Sequence, residues 1–246
     1  MEKVTVNETH KDRRIIVALD VPDERAAEQL LAKFGDNKPF VKVGMQLFYA
    51  AGPSFVHKLK AHGYPVFLDL KLHDIPQTVY LAAQSLARLN VDLTTVHIAG
   101  GTEMLRAAVA GVRDIQTEKQ ATKVIGVTQL TSTNEHVLNE QIGIAGTVAQ
   151  SVSHYAELAQ GAGLNGVVCS GWEVEQLKRG AREDFLAVTP GIRLPEHAHG
   201  DQKRVMSPQE AVRRGADYLV IGRSITHADD PRAVYERIGQ ALTGEA

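Results

Sequence analysis

A group of charged residues lies at the end of a short apolar run in the first third of the chain. Residues 66–68 predict the start of a buried strand, and Asp69, Lys71 and Asp74 follow within a few positions. Because side chains alternate along a strand, we expect Asp69 and Lys71 to share one face. A buried charge costs several kcal/mol unless it is paired or turned towards a ligand. The segment is therefore either a structural ion pair or an active site, and the pattern favours the active site.

Two further charged residues belong to the preceding apolar runs. Asp20 directly follows the first run of the chain, and Lys42 lies within the second. Each of them alone is more simply explained as a rim ion with a partner. Together with Asp69 and Lys71 they form a set of alternating sign, in which neighbouring carboxylates favour the charged form of a partly buried lysine. A charged Lys71 could donate a proton.

Two arginines follow the last two apolar runs. Arg193 stands in Pro-Gly-Ile-Arg, and Arg223 follows Gly222 in Ile-Gly-Arg-Ser. Glycine lets backbone N–H groups approach phosphate oxygens closely, and a guanidinium adds charge-assisted hydrogen bonds, so these residues predict a phosphate site. The alternative is a helix-cap glycine beside a surface arginine. The polar loop 194–204 is long enough to close over the site, and Gln202 would then reach the phosphate.

Other polar residues give weaker signals. His197 and His199 look like a metal pair, but no third ligand lies nearby, so we interpret them as solvated histidines. His97 is interpreted as a hydrogen-bonded core residue, and Cys169 as a core thiol within an apolar run. Thr131 follows the fifth run, where its hydroxyl or backbone amide could contact a substrate carbonyl. The sequence therefore predicts no metal site.

Eight short apolar runs rich in β-branched residues alternate with segments of helical periodicity. The runs span residues 14–19, 40–43, 65–70, 93–98, 123–129, 166–170, 185–189 and 218–222. Each parallel crossover needs a helix, and closure removes both sheet edges, so the alternation predicts a single α/β (β/α)8 TIM barrel. A doubly wound open sheet is the alternative, but no glycine-rich nucleotide motif follows the first run. In a barrel, the ends of all eight strands gather the charged residues at one rim.

The composition limits the domain organisation and the partners. The chain has 246 residues, 43% of them hydrophobic, and we predict one catalytic domain over 13–246 after a polar extension, 1–12. Twenty-seven basic and 29 acidic residues give a net charge of −2, so neither nucleic acid nor an anionic membrane is an expected partner. One cysteine excludes an internal disulfide, and no apolar segment is long enough for a membrane span. We expect a cytoplasmic protein.

Several short motifs together indicate a family. They are Ala-Leu-Asp at the first strand, Val-Lys-Val-Gly at the second, Asp-x-Lys-x-x-Asp-Ile-Pro-Gln-Thr at the third, and Gly-Ile-Arg followed by Gly-Asp-Gln. With these, the chain closely resembles the orotidine 5'-phosphate decarboxylases over roughly residues 14–225. Asp-x-Lys-x-x-Asp alone also resembles the hexulose-phosphate synthases and ketogulonate-phosphate decarboxylases. The additional motifs favour the orotidine 5'-phosphate decarboxylases.

The resemblance implies a role for each catalytic residue. Lys71 would donate a proton to the ring carbon that loses its carboxylate, with Asp69 beside it and Lys42 completing the charged row. Asp74 would come from the other subunit of a homodimer. The implied reaction converts orotidine 5'-phosphate to uridine 5'-phosphate in de novo pyrimidine biosynthesis and uses no cofactor and no metal.

The resemblance also implies a set of nucleotide contacts. The implied substrate-binding residues are Asp20, Lys42, Ile75, Thr78, Thr131, Arg193, Gln202, Gly222 and Arg223. The first two would contact ribose hydroxyls, Ile75 and Thr78 would reach across the dimer interface, and Thr131 would lie near the pyrimidine. The last four would hold the phosphate.

Other functions stay open from the sequence. In a metal-dependent sugar-phosphate lyase, the acids of the third strand would bind Mg²⁺ instead of flanking a lysine. A catalytically silent barrel could bind a nucleotide or phosphate as a sensor. A Schiff-base lysine is a further alternative, although the neighbouring carboxylates favour ammonium over the neutral amine that this chemistry requires.

Overall fold

Eight parallel strands close into a barrel in the order of the sequence. The computed structural model describes residues 13–116, 122–194 and 206–244. The strands are β1 Ile15–Ala18, β2 Phe40–Gly44, β3 Val66–Leu72, β4 Leu93–His97, β5 Lys123–Val127, β6 Gly166–Val168, β7 Leu186–Thr189 and β8 Tyr218–Ile221. β1 pairs in parallel with β8, with Val17 opposite Ile221, so the sheet has no open edge. The predicted TIM barrel is confirmed, and the open-sheet alternative is wrong.

Helices connect the strands and cover the outside of the barrel. They are α1 Glu24–Ala32, α2 Met45–Ala61, α3 Pro76–Arg88, α4 Gly101–Arg113, α5 Val148–Gly161, α6 Val174–Gly180, α7 Pro208–Arg213, α8 Arg223–Thr226 and α9 Pro231–Thr243. A 3₁₀ turn, Ile98–Gly100, precedes α4, and a short π-helix, Val137–Gln141, precedes α5. Alternating side chains on each strand thus face either these helices or the barrel axis.

The interior of the barrel is filled by one residue set. The inner cluster comprises Ile16, Ala18, Phe40, Phe67, Leu93, Ile125, Val188 and Val220. Residues of opposite parity on the same strands, such as Val17 and Leu68, are fully buried under the helices in a second, larger cluster. The inner cluster gives the C-terminal rim a packed floor, because Asp20, Lys42 and Asp69 follow the inward-facing Ala18, Phe40 and Phe67 by two positions.

β3 is longer than predicted and irregular at its end. The sequence indicated a strand over 65–70, whereas β3 continues to Leu72. Its register against β4 shifts between Leu68 and Leu72, and Lys71 has a φ of 56°, in the left-handed region. Leu70 and Leu72 still pack against the outer cluster, so Lys71 faces the barrel as alternation predicted. The register shift and the positive φ therefore lie in the part of β3 that carries Asp69 and Lys71.

The N-terminal rim contains two similar polar junctions. Oδ2 of Asp92, just before β4, accepts hydrogen bonds from the Val66 N–H (2.7 Å) and from a lysine of α2 (2.6 Å). Oδ2 of Asp217, just before β8, accepts them from the Ala187 N–H (2.7 Å) and from Lys178 of α6 (2.6 Å). Each carboxylate thus joins the start of one strand to the backbone of its neighbour.

Some predicted features lie outside the described residues. They are the extension 1–12 and nearly all of loop 194–204, including His197, His199 and Gln202. In the ranges that the structure covers, no helix combines the length and the apolar character needed to span a membrane.

Candidate active site

Four charged residues form a continuous row at the C-terminal rim, in the order Asp20, Lys42, Asp69, Lys71. The Lys42 Nζ lies 3.0 Å from Asp20 Oδ1 and 3.9 Å from Asp69 Oδ2. The Lys71 Nζ donates to the same Asp69 Oδ2 at 2.9 Å. Only 13% of the Asp69 and Lys42 side chains is exposed, against 65% of Asp20. The two middle charges are therefore largely withdrawn from water and stabilised by partners of opposite sign.

The local backbone leaves room for this row. A Cβ atom added at Gly44, the last residue of β2, would lie 3.1 Å from the Lys42 Nζ, so a larger residue would press on the ammonium group. On β4, Thr95 donates a hydrogen bond from its hydroxyl to Asp69 Oδ1 at 3.0 Å. Thr95 was not among the site residues predicted from the sequence. Its only sequence signal is its position two residues after inward-facing Leu93, on the inner side of the strand.

One cavity, of about 260 Å³, lies directly against the charged row. Its lining consists of Lys42, Phe67, Asp69, Lys71, Val127, Gln129, Leu130, Thr131, Ser132, Val168, Cys169, Pro190 and Val220. Much of this lining is apolar, with the charges on one wall and hydroxyl groups on another. Thr131 therefore lies in the same cavity as Lys71. The Cys169 side chain is buried, as predicted for a core thiol.

A second cavity, of about 400 Å³, shares Lys42, Pro190 and Val220 with the first. The rest of its lining is Ala18, Asp20, Gly191, Ile192, Arg193, Gly222, Arg223, Ser224 and His227. The structure thus brings together Asp20 and the three described residues of the predicted phosphate site. The joined cavities give one elongated site, with a mostly apolar end near Lys71 and an arginine-bearing end.

Two backbone hydrogen bonds join the residues that follow β7 to Met206, which lies just before α7. The Arg193 N–H donates to the Met206 carbonyl oxygen at 3.0 Å, and the Met206 N–H donates to the Gly191 carbonyl oxygen at 3.1 Å. The Met206 side chain packs against Gly171, where an added Cβ would lie 2.6 Å from its sulfur. These two hydrogen bonds fix the backbone next to Arg193.

Three predicted site residues lie outside both cavities of their own chain. Asp74, Ile75 and Thr78 occupy the turn after β3 and the first turn of α3, which begins at Pro76. All three are exposed, and Ile75 is 67% exposed. The Asp74 Oδ1 accepts a hydrogen bond from the Ile75 N–H at 2.7 Å, which orients the carboxylate at the turn. The fold does not bring these residues to the Lys71 of the same chain.

A histidine pair lies beside the charged row. His97, the last residue of β4, is half-buried, and its ring centroid lies 5.4 Å from that of His73. Burial lowers the pKa of His97, and the nearby His73 and Lys71 lower it further, against an opposing effect of Asp69. His97 therefore favours its neutral form, which agrees better with a packing role than with acid catalysis.

Within the described ranges, no group of three or more His, Cys, Asp or Glu side chains is arranged to hold a metal ion. The Asp69 Oδ2, which would be the natural ligand atom at the rim, faces two ammonium groups instead.

Comparison with known proteins identifies the family. Residues 13–238 match the model of the orotidine 5'-phosphate decarboxylase / HUMPS family. An orotidine 5'-phosphate decarboxylase of Geobacillus sp. (strain WCH70) is 50% identical over 232 residues, which cover 94% of this chain and 97% of that protein. One of Bacillus cytotoxicus is 47% identical over 233 residues, covering 94% and 98%.

A solved structure agrees with these relatives. The crystal structure of orotidine 5'-phosphate decarboxylase from Lactobacillus acidophilus superimposes with a TM-score of 0.85 at 41% sequence identity, covering 94% of this chain and 99% of that one. The family predicted from the strand-end motifs is thereby confirmed. The chain belongs to the orotidine 5'-phosphate decarboxylase / HUMPS family.

Proposed function

We propose that this chain decarboxylates orotidine 5'-phosphate to uridine 5'-phosphate, a step of pyrimidine biosynthesis, without a cofactor. The observation that carries the proposal is the row Asp20, Lys42, Asp69, Lys71 along one wall of two joined cavities. A pyrimidine ring suits the mostly apolar cavity near Lys71, and a phosphate suits the cavity that contains Arg193 and Arg223.

Lys71 supplies the proton in this proposal. When the bond between the ring carbon and the carboxylate breaks, carbon dioxide leaves and the electron pair stays on the ring carbon. The Lys71 ammonium donates a proton to that carbon and is later reprotonated from solvent. Asp69, 2.9 Å from the Lys71 Nζ, orients the ammonium group, and Lys42 adds a second positive charge nearby. A carbanion gains more from these charges than the ground state does, which is the condition for catalysis.

The other end of the site binds groups that do not react. Arg193, Arg223 and the backbone at Gly222 hold the phosphate, whereas Asp20 and Lys42 contact the ribose hydroxyls where the two cavities join. Thr131 contacts the pyrimidine from the wall of the first cavity. Binding energy from the phosphate can then be used to position the ring against Lys71. Gln202, the remaining predicted phosphate ligand, lies outside the described residues.

We also propose that the chain acts as a homodimer in which Asp74, Ile75 and Thr78 complete the site of the partner subunit. Their position outside the cavities of their own chain supports this arrangement. Large apolar side chains are exposed on α3, at Leu81, and on α2, at Met45 and Tyr49. Exposed apolar side chains of this size are costly in water, and they suit an interface with a second copy.

Subunit mixing tests the dimer proposal. Lys71→Ala and Asp74→Ala homodimers should each be nearly inactive, whereas a mixed dimer has one site that lacks both groups and one that lacks neither. With random exchange of equal amounts, half of the dimers are mixed, so roughly a quarter of the parental sites are restored. Native mass spectrometry measures the exchange. Mixed dimers without regained activity would show that Asp74 does not serve the other subunit.

The activity itself is tested by following the ultraviolet absorbance of orotidine 5'-phosphate. We expect the absorbance to fall with turnover and the product to be uridine 5'-phosphate. Absence of turnover by folded protein would refute the proposal and leave a silent nucleotide-binding barrel as the alternative.

Chelation separates this reaction from that of a metal-dependent sugar-phosphate lyase. We expect exhaustive EDTA treatment to leave turnover unchanged, because ammonium groups face the Asp69 oxygen that a cation would bind. Activity that is lost with EDTA and restored by Mg²⁺ would support the lyase. Borohydride should trap no adduct, since proton donation forms no imine.

A further inference from the structure

The hydroxyl of Thr95 connects the two central charged residues of the site. Thr95 lies on β4 with 0% of its surface exposed, and it lines neither cavity. Its Oγ1 donates a hydrogen bond to Asp69 Oδ1 at 3.0 Å and accepts one from the Lys71 N–H at 2.9 Å. A threonine hydroxyl has one hydrogen to donate and lone pairs to accept, so both partners are satisfied by one group.

The bond to Asp69 fixes the rotation of its carboxylate. Oδ1 is held by Thr95, so Oδ2 is left to face the Lys71 Nζ at 2.9 Å and the Lys42 Nζ at 3.9 Å. Rotating the carboxylate away from the two lysines would break the bond to a fully buried donor. The strand scaffold therefore determines which oxygen faces the ammonium groups.

The bond from Lys71 supports an unfavourable backbone conformation. Lys71 has a φ of 56°, which is costly for a residue with a side chain, and the register of β3 against β4 shifts between Leu68 and Leu72. A backbone N–H at such a shift must find a partner outside the regular ladder. The Thr95 hydroxyl provides that partner and so stabilises the backbone turn that carries the Lys71 side chain into the cavity.

We infer that Thr95 is a positioning residue for decarboxylation, which acts by holding the Asp69 carboxylate and the Lys71 backbone in their reactive arrangement. The inference rests on the proposed function and deepens it. Because Thr95 lines neither cavity, its loss should affect the reaction step and leave ground-state binding of the nucleotide largely unchanged.

The neighbouring residue offers a matched control. Thr94 is also buried on β4, and its hydroxyl donates to the Leu68 carbonyl oxygen at 3.1 Å. Thr94→Val removes a buried hydroxyl bonded to the same adjacent strand, but it leaves Asp69 and Lys71 with their partners. A purely structural role of threonine hydroxyls in β4 would make the two positions equivalent.

The experiment compares kcat and KM for orotidine 5'-phosphate in the parent and in Thr95→Val, Thr95→Ser and Thr94→Val. Rates are expressed per folded site, counted by calorimetric titration with uridine 5'-phosphate, below the unfolding temperature of every variant. For Thr95→Val we expect kcat to fall roughly 10- to 100-fold with KM and product affinity nearly unchanged, because small displacements of reacting groups have effects of this size. Thr95→Ser should recover most of the lost kcat, and Thr94→Val should keep the parental value.

The parental kcat in Thr95→Val, an equal loss of kcat in Thr94→Val, or a raised KM at unchanged kcat would each overturn the inference. If Thr95→Val does not fold, Thr95→Ala replaces it with the same expectation, since it also removes the hydroxyl. A parent protein that does not turn over the substrate would refute the proposed function and, with it, this inference.

Discussion

Ion pairs of the same residue types stand at both rims of the barrel and differ in what surrounds the carboxylate. At the N-terminal rim, Oδ2 of Asp217 accepts from the Ala187 N–H and from Lys178, whose ammonium also donates to a backbone carbonyl oxygen. At the C-terminal rim, Oδ2 of Asp69 faces the ammonium groups of Lys71 and Lys42, and all three residues line a cavity. The first pair is bonded to main chain, and the second lines a cavity.

Burial of the lysine does not distinguish the two pairs. The Lys178 side chain is 24% exposed and the Lys71 side chain 25% exposed. The difference is that the Asp217–Lys178 pair also bonds to strand backbone, whereas the Asp69–Lys71 pair lines a cavity. A partly buried ion pair is therefore evidence for a functional site only when one of its members faces space that a ligand can fill.

The largest expected effect follows from removing the Lys71 ammonium group at the C-terminal rim. In Lys71→Ala, turnover should fall roughly 10³-fold or more, because both the proton donor and a stabilising charge are lost. The free energy of unfolding should change little, because the lost ion pair lines a cavity and Asp69 keeps its contacts with Thr95 and Lys42. Turnover is measured by ultraviolet absorbance, and stability by urea denaturation.

Lys178→Ala is the control for the loss of a paired lysine. It should lower the free energy of unfolding and leave turnover per folded site at the parental level. If the two variants lost activity equally, the contrast between the rims would be wrong.

Arg223→Ala should have the next largest effect. We expect kcat/KM for the nucleotide to fall roughly 10- to 100-fold, as is typical for losing a hydrogen bond to a charged group. The slow reaction of the phosphate-free nucleoside should be unaffected, because the lost contact is to the phosphate. Steady-state kinetics with both substrates measure the difference.

The control for this arginine is Arg179→Ala, which removes an exposed arginine paired with Glu175 on α6. It should change neither substrate's kinetics. An equal loss for nucleotide and nucleoside in Arg223→Ala would show that Arg223 supports the whole site and not the phosphate alone.

The parts of this site that the sequence predicted are those that depend on strand ends. The eight-fold alternation determines the barrel, and a barrel brings Asp20, Lys42 and Asp69 to one rim whatever the loop conformations are. The joined cavities agree with the predicted grouping of these charges with Arg223. Exact strand ends were less predictable, because the register shift in β3 depends on contacts with β4.

The supporting contacts could not be predicted in the same way. Thr94 and Thr95 are adjacent and identical in type, and only the inward position of Leu93 tells which of them faces the barrel interior. Even then, nothing in the sequence indicates that Lys71 adopts a positive φ and donates its N–H to a side chain. The position of Asp74 in a partner's site depends on a second chain, and it stays a proposal.

Asp217→Ala should reduce stability without reducing the chemistry. The substitution leaves the Ala187 N–H and the Lys178 ammonium without their acceptor, and we expect the free energy of unfolding to fall by about 1–3 kcal/mol. Asp217→Asn should lose less, because an amide oxygen can still accept from the Ala187 N–H. Urea denaturation measures both variants, and a change in kcat per folded site would contradict the separation between the rims.

The smallest expected effect concerns the pH dependence of the free energy of unfolding, through His97 at the C-terminal rim. The pKa of His97 lies below its ordinary value of 6.5, chiefly because of burial and also because His73 and Lys71 are nearby. As the pH falls below 6.5, the unfolded chain binds a proton at His97 before the folded chain does. His97 therefore lowers the free energy of unfolding until the pH passes its folded pKa, below which the loss stays constant.

Urea denaturation between pH 7.5 and 5 measures this effect. We expect the free energy of unfolding to fall less steeply with decreasing pH in His97→Asn than in the parent. At higher pH the two curves should have the same slope, because the imidazole is neutral in both the folded and the unfolded state. His57→Gln, on an exposed part of α2, controls for the loss of a histidine as such. A steeper acid loss in His97→Asn than in the parent would mean that folding favours the charged imidazole. Protonation of His97 would then stabilise the folded protein. That outcome would contradict the structure, in which burial and the nearby Lys71 both disfavour the charged imidazole.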